Sequence, residues 1–265
     1  MVRLSVNVNK VATLRNSRIP PDQQGQGQGQ GQGHGHGHGV GVPSMARAIE
    51  VCLAAGVPGI TLHPRADQRH VTPADVRIAA RLCDPVRDRV ELNIEGDPRP
   101  DLLALVHEIR PHQLTLVPVR PGEITSEAGW PSDTPKAALA EVIARARDAG
   151  IRVSLFVEAV PAAIRWAAQM GADRVELYTE PFAAAFGRGA DQAQRAFEPY
   201  VAAAELAHQL GLGVNAGHDL DLDNLRLFRT LPHLDEVSIG HALIAEAVFC
   251  GLETIVRRYL DVLSG

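Results

Sequence analysis

Lysine is almost missing from this 265-residue chain: of its 26 basic residues only Lys10 and Lys136 are lysines. The 26 basic residues face 31 acidic ones, for a net charge of −5. A mildly acidic chain has no global electrostatic reason to bind nucleic acid or anionic lipid. Cysteine is scarce too. Cys52, Cys83 and Cys250 lie far apart, each in a helix-like segment, and no CxxC spacing occurs. That pattern indicates neither a zinc site nor a disulfide framework and fits a reducing cytosol. No apolar run approaches the roughly 20 residues of a membrane span. The first residues enter a strand-like run, Val2 to Val8, with no signal peptide pattern, so a cytoplasmic enzyme is expected. No GxGxxG follows that run, which removes the main sign of a dinucleotide-binding open sheet.

What is present is ordinary globular material, 45% apolar and 22% charged, apart from one segment. Gln23 to Gly41 reads QQGQGQGQGQGHGHGHGVG. Its glycines are entropically expensive to order and it has almost nothing apolar to bury, so residues 23–41 are expected to form a flexible, disordered surface loop inside a single 1–265 domain. Its HGHGHG portion could hold a transition metal weakly; repeat expansion in a tolerant loop is the simpler reading.

Outside that loop a short β-rich run is followed by a helical pattern eight times. The runs are RLSVNV, GITLHP, RVELNIE, LTLVPV, RVSLFVEA, RVELYTE, GLGVNAG and EVSIGHAL. Between them apolar residues recur at helical spacing, as in Ala46, Ile49, Leu53, in Ala138, Val142, Ala146, Ala149, and in Val201, Leu206, Leu210. Several runs follow a helix-ending glycine: AAGVPGITLH, DAGIRVSLF, QMGADRVEL and QLGLGVN. Eight β/α units in this length predict a (β/α)₈ TIM barrel.

Chemistry in such barrels gathers at the C-terminal ends of the strands. Those ends carry Asn7, Asn9 and Lys10, then His63 and Arg65, then Asn93 and Glu95. Arg120, Glu123 and Thr125 follow run four, and Glu158 ends run five. Glu176 and Thr179 belong to run six, Asn215, Gly217 and His218 to run seven, Gly240 and His241 to run eight. Each alone has a bland structural explanation, an ion pair for Glu158 or Glu176, a tight turn for either glycine. Together they place many ionisable groups at one point of a repeating unit, where burial is costly unless they are paired or used. Gly217 and Gly240 follow the strands where barrels often bind phosphate.

These residues resemble a known family. NVNKVATLRNSR, ITLHPRADQRHVTPADV, LNIE, LVPVRPGEITSEAGW, VSLFVEA, VNAGHDL and SIGHALI occur in order over nearly the whole chain and are similar to pyridoxine 5′-phosphate synthase. The resemblance implies a barrel enzyme of vitamin B6 biosynthesis. Such an enzyme condenses 3-amino-2-oxopropyl phosphate with 1-deoxy-D-xylulose 5-phosphate to pyridoxine 5′-phosphate, phosphate and water. It implies no metal and no organic cofactor, because the substrate amine forms the imine, and a homo-octamer with two small phosphorylated substrates as partners.

Carried over, the resemblance casts His63 and Glu95 as general bases, His218 as general acid and Glu176 as stabiliser of a cationic transition state. Asn7, Arg18, Gly240 and His241 would hold the aminoketone phosphate, and Arg65, His70 and Thr125 the sugar phosphate. A loop carrying Thr125 would close over the reactive imines.

Three places depart from the family pattern. Asn9 and Lys10 stand where Asp-His is usual, at the sugar phosphate contact. Tyr178, Thr179, Glu180 replace His-Thr-Gly. Gly217, His218, Asp219 replace Gly-His-Gly, which puts a carboxylate where it would repel phosphate unless Lys10 or an arginine offsets it. The departures admit a paralogue with altered substrate, such as a Schiff-base aldolase using Lys10 beside Arg15 or Arg18. They also admit a barrel that lost turnover and binds a metal or partner through its His/Gly loop.

Overall fold

The structure, a computed structural model, describes residues 1–17, 42–119 and 128–265. The expected Gln23–Gly41 loop lies outside those residues. Eight strands, one in each predicted run, form a closed parallel barrel in sequence order. They are β1 (Arg3–Asn7), β2 (Gly59–Leu62), β3 (Glu91–Gly96), β4 (Gln113–Leu116), β5 (Arg152–Val157), β6 (Arg174–Tyr178), β7 (Gly213–Gly217) and β8 (Leu234–Ile239), with β8 pairing back onto β1. The chain is a TIM barrel, as its repeats predict.

Around the barrel run α1 (Asn9–Asn16), α2 (Met45–Ala54), α3 (Pro73–Cys83), α4 (Pro100–Ile109), α5 (Ala140–Asp148), α6 (Pro161–Met170), α7 (Glu180–Phe186), α8 (Ala190–Gln209), α9 (Leu225–Phe228), α10 (His241–Cys250) and α11 (Leu252–Ser264). Local chemistry starts and stops them. Thr72 accepts the Asp75 N–H and Asp75 accepts the Thr72 N–H, a capping box with Pro73 in the first turn of α3. The glycines that precede β2, β5, β6 and β7 (Gly56, Gly150, Gly171, Gly211) all have positive φ, between 74° and 89°, as helix-ending glycines should. Among the described residues no helix is long and apolar enough to cross a membrane.

Each strand alternates. Leu4 and Val6, Ile60 and Leu62, Leu92 and Ile94, Leu114 and Leu116 are fully or almost fully buried and join the main hydrophobic core with helix residues such as Ile49, Val76, Leu102 and Ile143. Most intervening positions are polar, Phe156 on β5 being an apolar exception. Branched aliphatic side chains usually fill such an interior; here it holds a hydrogen-bonded mesh. Ser5 and Thr61 hydroxyls lie 2.6 Å apart, Thr115 donates to Asn93 Oδ1 at 3.0 Å, and Gln113 donates to Thr115 Oγ1 at 3.2 Å. Asn215 donates across to Gln113 Oε1 at 3.4 Å. Buried amides and hydroxyls are tolerable because they satisfy one another. At the N-terminal ends of the strands the mesh becomes ionic: Glu91 takes Arg3 at 2.6 Å and Arg152 at 2.5 Å, while Arg174 donates to Asn215 at 2.7 Å.

Residues 128–130 dock onto β5. Trp130 donates its backbone N–H to Phe156 O and its indole N–H to Leu116 O, each at 2.9 Å, and Gly129 donates to Glu158 Oε1 at 3.2 Å. Glu158 thus has a structural job. A Cβ on Gly129 would sit 2.5 Å from Val157 Cα and 2.7 Å from its carbonyl carbon, backbone atoms that cannot yield. Gly129→Ala is therefore expected to cost about 1–3 kcal/mol, as other overpacking does. Chemical denaturation tests this, and an unchanged midpoint would show that the segment does not bear on β5 in solution.

Candidate active site

The C-terminal strand ends open into a cavity of about 300 Å³. Twelve of the fourteen predicted site residues line it: Asn7, Asn9, Lys10, His63, Arg65, His70, Glu95, Glu176, His218, Asp219, Gly240 and His241. Arg18 and Thr125 lie outside the described residues.

The first strand turns straight into α1, so Asn7, Asn9 and Lys10 arrive together at the rim. Asn7 Oδ1 accepts the Asn9 N–H at 3.1 Å, and Asn7 Nδ2 reaches Glu95 Oε2 at 3.3 Å. Asn9 Oδ1 accepts the His63 N–H at 2.9 Å. The uncharged Asn9 therefore ties β1 to the end of β2 as well as lining the cavity. Arg15, next along α1, is committed to Asp75 at 2.6 Å, and Asn16 donates to His70 O at 2.8 Å. These contacts hold the α1 end against residues 68–75, which carry His70.

Burial favours the neutral form of three of the histidines, His63, His70 and His218. Burial, followed by the charges of His70, Arg65, Arg99 and His218, holds the His63 pKa well below its ordinary value. His63 Nδ1 lies 3.9 Å from Glu95 Oε2, and His63 Nε2 is buried with no hydrogen-bond partner among the described residues. Burial and then Arg65 push His70 down to about 4. His70 Nδ1 accepts the Val71 N–H at 2.9 Å, which leaves the proton on Nε2. His218 is lowered by burial, opposed by the Asp219 carboxylate.

His218 is held by its backbone. Its φ is 86° and that of Asp219 is 55°, two consecutive side-chain-bearing residues in the left-handed region. Such strain persists only where surroundings enforce it. Here Thr179 Oγ1 donates to Gly217 O at 2.7 Å and also to His218 O, clamping the turn from β6. The imidazole packs on Phe156, with ring centroids 4.8 Å apart, and edge-on to Tyr178 at 5.5 Å. A Cβ at Gly217 would come within 2.8 Å of Glu176 Oε1, so glycine there is what lets Glu176 lie against the end of β7.

The carboxyls shift the other way. Burial and then the neighbouring Glu236 push Glu95 up to about 7. Burial, then Glu95 and Glu236, holds Glu176 well above the ordinary carboxylate range. The cavity floor thus carries proton-holding acids beside neutral imidazoles, with Lys10 and Arg65 as cations on the β1–β2 side. On the β8 side Gly240, His241 and Ala242 line the cavity at the start of α10, which has no side-chain cap. Uncapped amide N–H groups there attract anions.

Residues 4–265 match the family described as Pyridoxal phosphate biosynthesis protein PdxJ. The chain belongs to that family. Over 264 residues it is 45% identical to a protein of Bacteroides thetaiotaomicron named pyridoxine 5′-phosphate synthase, covering 99% of this chain and 100% of the relative. A Porphyromonas gingivalis protein of the same name is 46% identical over 265 residues, covering both chains fully. Among solved structures, 3-hexulose-6-phosphate synthase from Salmonella typhimurium superposes with a TM-score of 0.59 at 12% identity, covering 99% of this chain and 98% of the other. Phosphoribosyl anthranilate isomerase from Thermotoga maritima gives 0.57 at 11% identity with full coverage of both. These two likenesses show the fold alone.

The strand-end reading missed Ser238, which lines the cavity, and Glu236, buried one inward step below it. Both were findable by stepping back in twos from Gly240 along β8, since alternate residues share a face. Phe156 was missed as a neighbour of His218 because nothing in its spacing separates a site wall from ordinary core, while Tyr178, singled out as a departure from the family pattern, is the second aromatic against that ring.

Proposed function

We propose that this chain is a pyridoxine 5′-phosphate synthase, condensing 3-amino-2-oxopropyl phosphate with 1-deoxy-D-xylulose 5-phosphate. The observation that carries the reading is that Glu95, Glu176, His63 and His218 line one cavity with cations on one side and an uncapped helix start on the other. A reaction that joins two phosphorylated molecules and moves several protons asks for those three features together.

In this reading Lys10, Arg65 and the His70 Nε2–H receive the sugar phosphate, and Lys10 offsets the Asp219 carboxylate. The amides from Gly240 onward, with His241 and Asn7, receive the aminoketone phosphate; Arg18 and Thr125 complete the two sets. The substrate amine attacks the sugar ketone and water leaves as the C=N bond forms. Glu95 in its ionised form removes a substrate proton, with His63 beside it as a second base. Glu176 enters the cycle protonated and becomes a counter-charge for a cationic intermediate once it has released that proton. His218 relays a proton to the departing oxygen, a role its neutral resting form takes on only after receiving one. General acid–base groups work best when their pKa lies near the working pH, as that of Glu95 does.

The substrate amine supplies the imine, so the reaction as written needs no metal or organic cofactor. The chain is assigned to the cytoplasm and to a homo-octamer. An apolar face on α10, where Val248 and Phe249 are 72% and 85% exposed, supports subunit contact.

Mixing the purified protein with both substrates and following pyridoxine 5′-phosphate by absorbance and mass tests the proposal. Product with release of inorganic phosphate is expected. A folded protein that makes none overturns it.

A further inference from the structure

Beneath the cavity lies a carboxyl that the mechanism above does not use. Glu236 is on β8 and only 3% exposed. Its register partners are Arg3 on β1 and Asn215 on β7, which places it in the polar interior rather than among the helices. One inward step above it Ser238 lines the cavity, and Asn215, the partner of Glu236 on β7, is in turn in register with Glu176 on β6.

The charged groups around Glu236 come from every neighbouring side of the barrel. Arg3 on β1, Arg152 on β5 and Arg174 on β6 attract it, and Glu91 on β3 repels it. Glu95 on β3 and Glu176 on β6 both feel its negative charge. The arginines spend their short contacts elsewhere, Arg3 and Arg152 on Glu91, Arg174 on Asn215. Burial leaves Glu236 titrating at about 7 instead of in the ordinary carboxylate range.

We propose that Glu236 is a positioning residue of the acid/base set, holding a proton under Glu95 and Glu176 and so setting which of them is ionised. Three like charges in one dry volume cannot all form at neutral pH. With Glu236 protonated, Glu95 ionises more readily and serves as base. With Glu236 ionised, Glu95 retains its proton. The balance among the three carboxyls, rather than Glu95 alone, then fixes the acid limb of activity. The kinetic part of this inference rests on the synthase reading; the titration part does not.

Two measurements test it on the full chain. In protein labelled with ¹³C at the glutamate carboxyls, three signals should titrate well above the rest. Glu236→Asp identifies one of them by deleting its label while keeping a carboxyl. In Glu236→Gln the Glu95 signal should titrate lower by about one pH unit, roughly tenfold in its ionised fraction on the acid side. The acid limb of kcat/KM should move to lower pH by the same amount. A Glu236 signal titrating in the ordinary range overturns the proposal even if Glu236→Gln does not fold. So does a folded Glu236→Gln whose activity falls equally at every pH with the Glu95 signal unmoved. Wild-type protein that makes no product removes the synthase reading, and the carboxyl titration still decides this one.

Discussion

Glu95→Gln is expected to lower turnover by about 10²-fold or more, the usual worth of a positioned general base and about 2.7 kcal/mol in activation free energy. The amide keeps the shape, and its oxygen can still accept from Asn7. What it loses is the ability to take a proton. Stability should move the opposite way at high pH. The folded pKa of Glu95 is raised above its unfolded value, so between about 4.5 and 7 the folded state binds more protons and stability falls as pH rises. Above that window the full cost of ionising a buried carboxyl is in force. Glu95→Gln lacks the cost, and its melting temperature at pH 8 should exceed that of the wild type while the difference shrinks at pH 4. Near-wild-type turnover would remove Glu95 from the chemistry. Lower stability at both pH values would mean that the carboxylate is needed for the fold.

His218→Asn should also reduce turnover by about 10²-fold or more. Asparagine is the informative replacement because, apart from glycine, it is among the residues that best tolerate left-handed backbone, and φ at this position is 86°. The strained turn and its Thr179 clamp should survive, so the rate reports the missing imidazole and not a relaxed loop. Circular dichroism and the melting transition should stay close to the wild type. Turnover within a few-fold of the wild type would exclude His218 as the acid and pass that role to Glu176. The histidines also shape the pH dependence of stability. The pKa values of His63, His70 and His218 are lowered in the fold, so the unfolded chain binds more protons below about 6.5 and acid favours unfolding. Carboxyls and imidazoles thus pull in opposite directions across the same range, and stability should peak within it.

The barrel was legible because each of its strands is a short apolar run and four of them are announced by a helix-ending glycine. The helix faces were less so. The spacing Val201, Leu206, Leu210 locates α8 correctly, yet its buried residues are Ala193, Phe197, Tyr200, Ala203, Ala204 and Ala207, and the three residues of that spacing lie at the margin of the buried face or outside it. Ala138 proves exposed, just before α5, whose buried face is Ile143 and Ala146. Four of the six buried residues of α8 are alanines, and the aliphatic spacing finds the edge of the face while the two buried aromatics of α8 mark the centre. The strand-end positions predicted the cavity well, since parallel pairing leaves only one end for them to share. Asn9 shows the limit of that reading: a residue can line a pocket and spend its oxygen on a neighbouring strand. The protonation of the site was not readable, because it depends on which charges lie across the barrel from each other, and the carboxyls of Glu95, Glu176 and Glu236 stand on β3, β6 and β8, strands that do not pair with one another and lie far apart in the chain.

The alternation within each strand has a consequence for how such a protein can change. Even-numbered positions of β1 such as Leu4 and Val6 belong to the hydrophobic core shared with the helices, and swaps among aliphatic residues there are a matter of volume. Odd-numbered ones, Arg3, Ser5 and Asn7, belong to a wired interior that runs from an arginine floor to the reacting groups. Every strand therefore carries two interleaved messages, one about architecture and one about proton chemistry. Drift in the first can proceed while the second stays fixed, residue by residue along the same few ångströms of backbone.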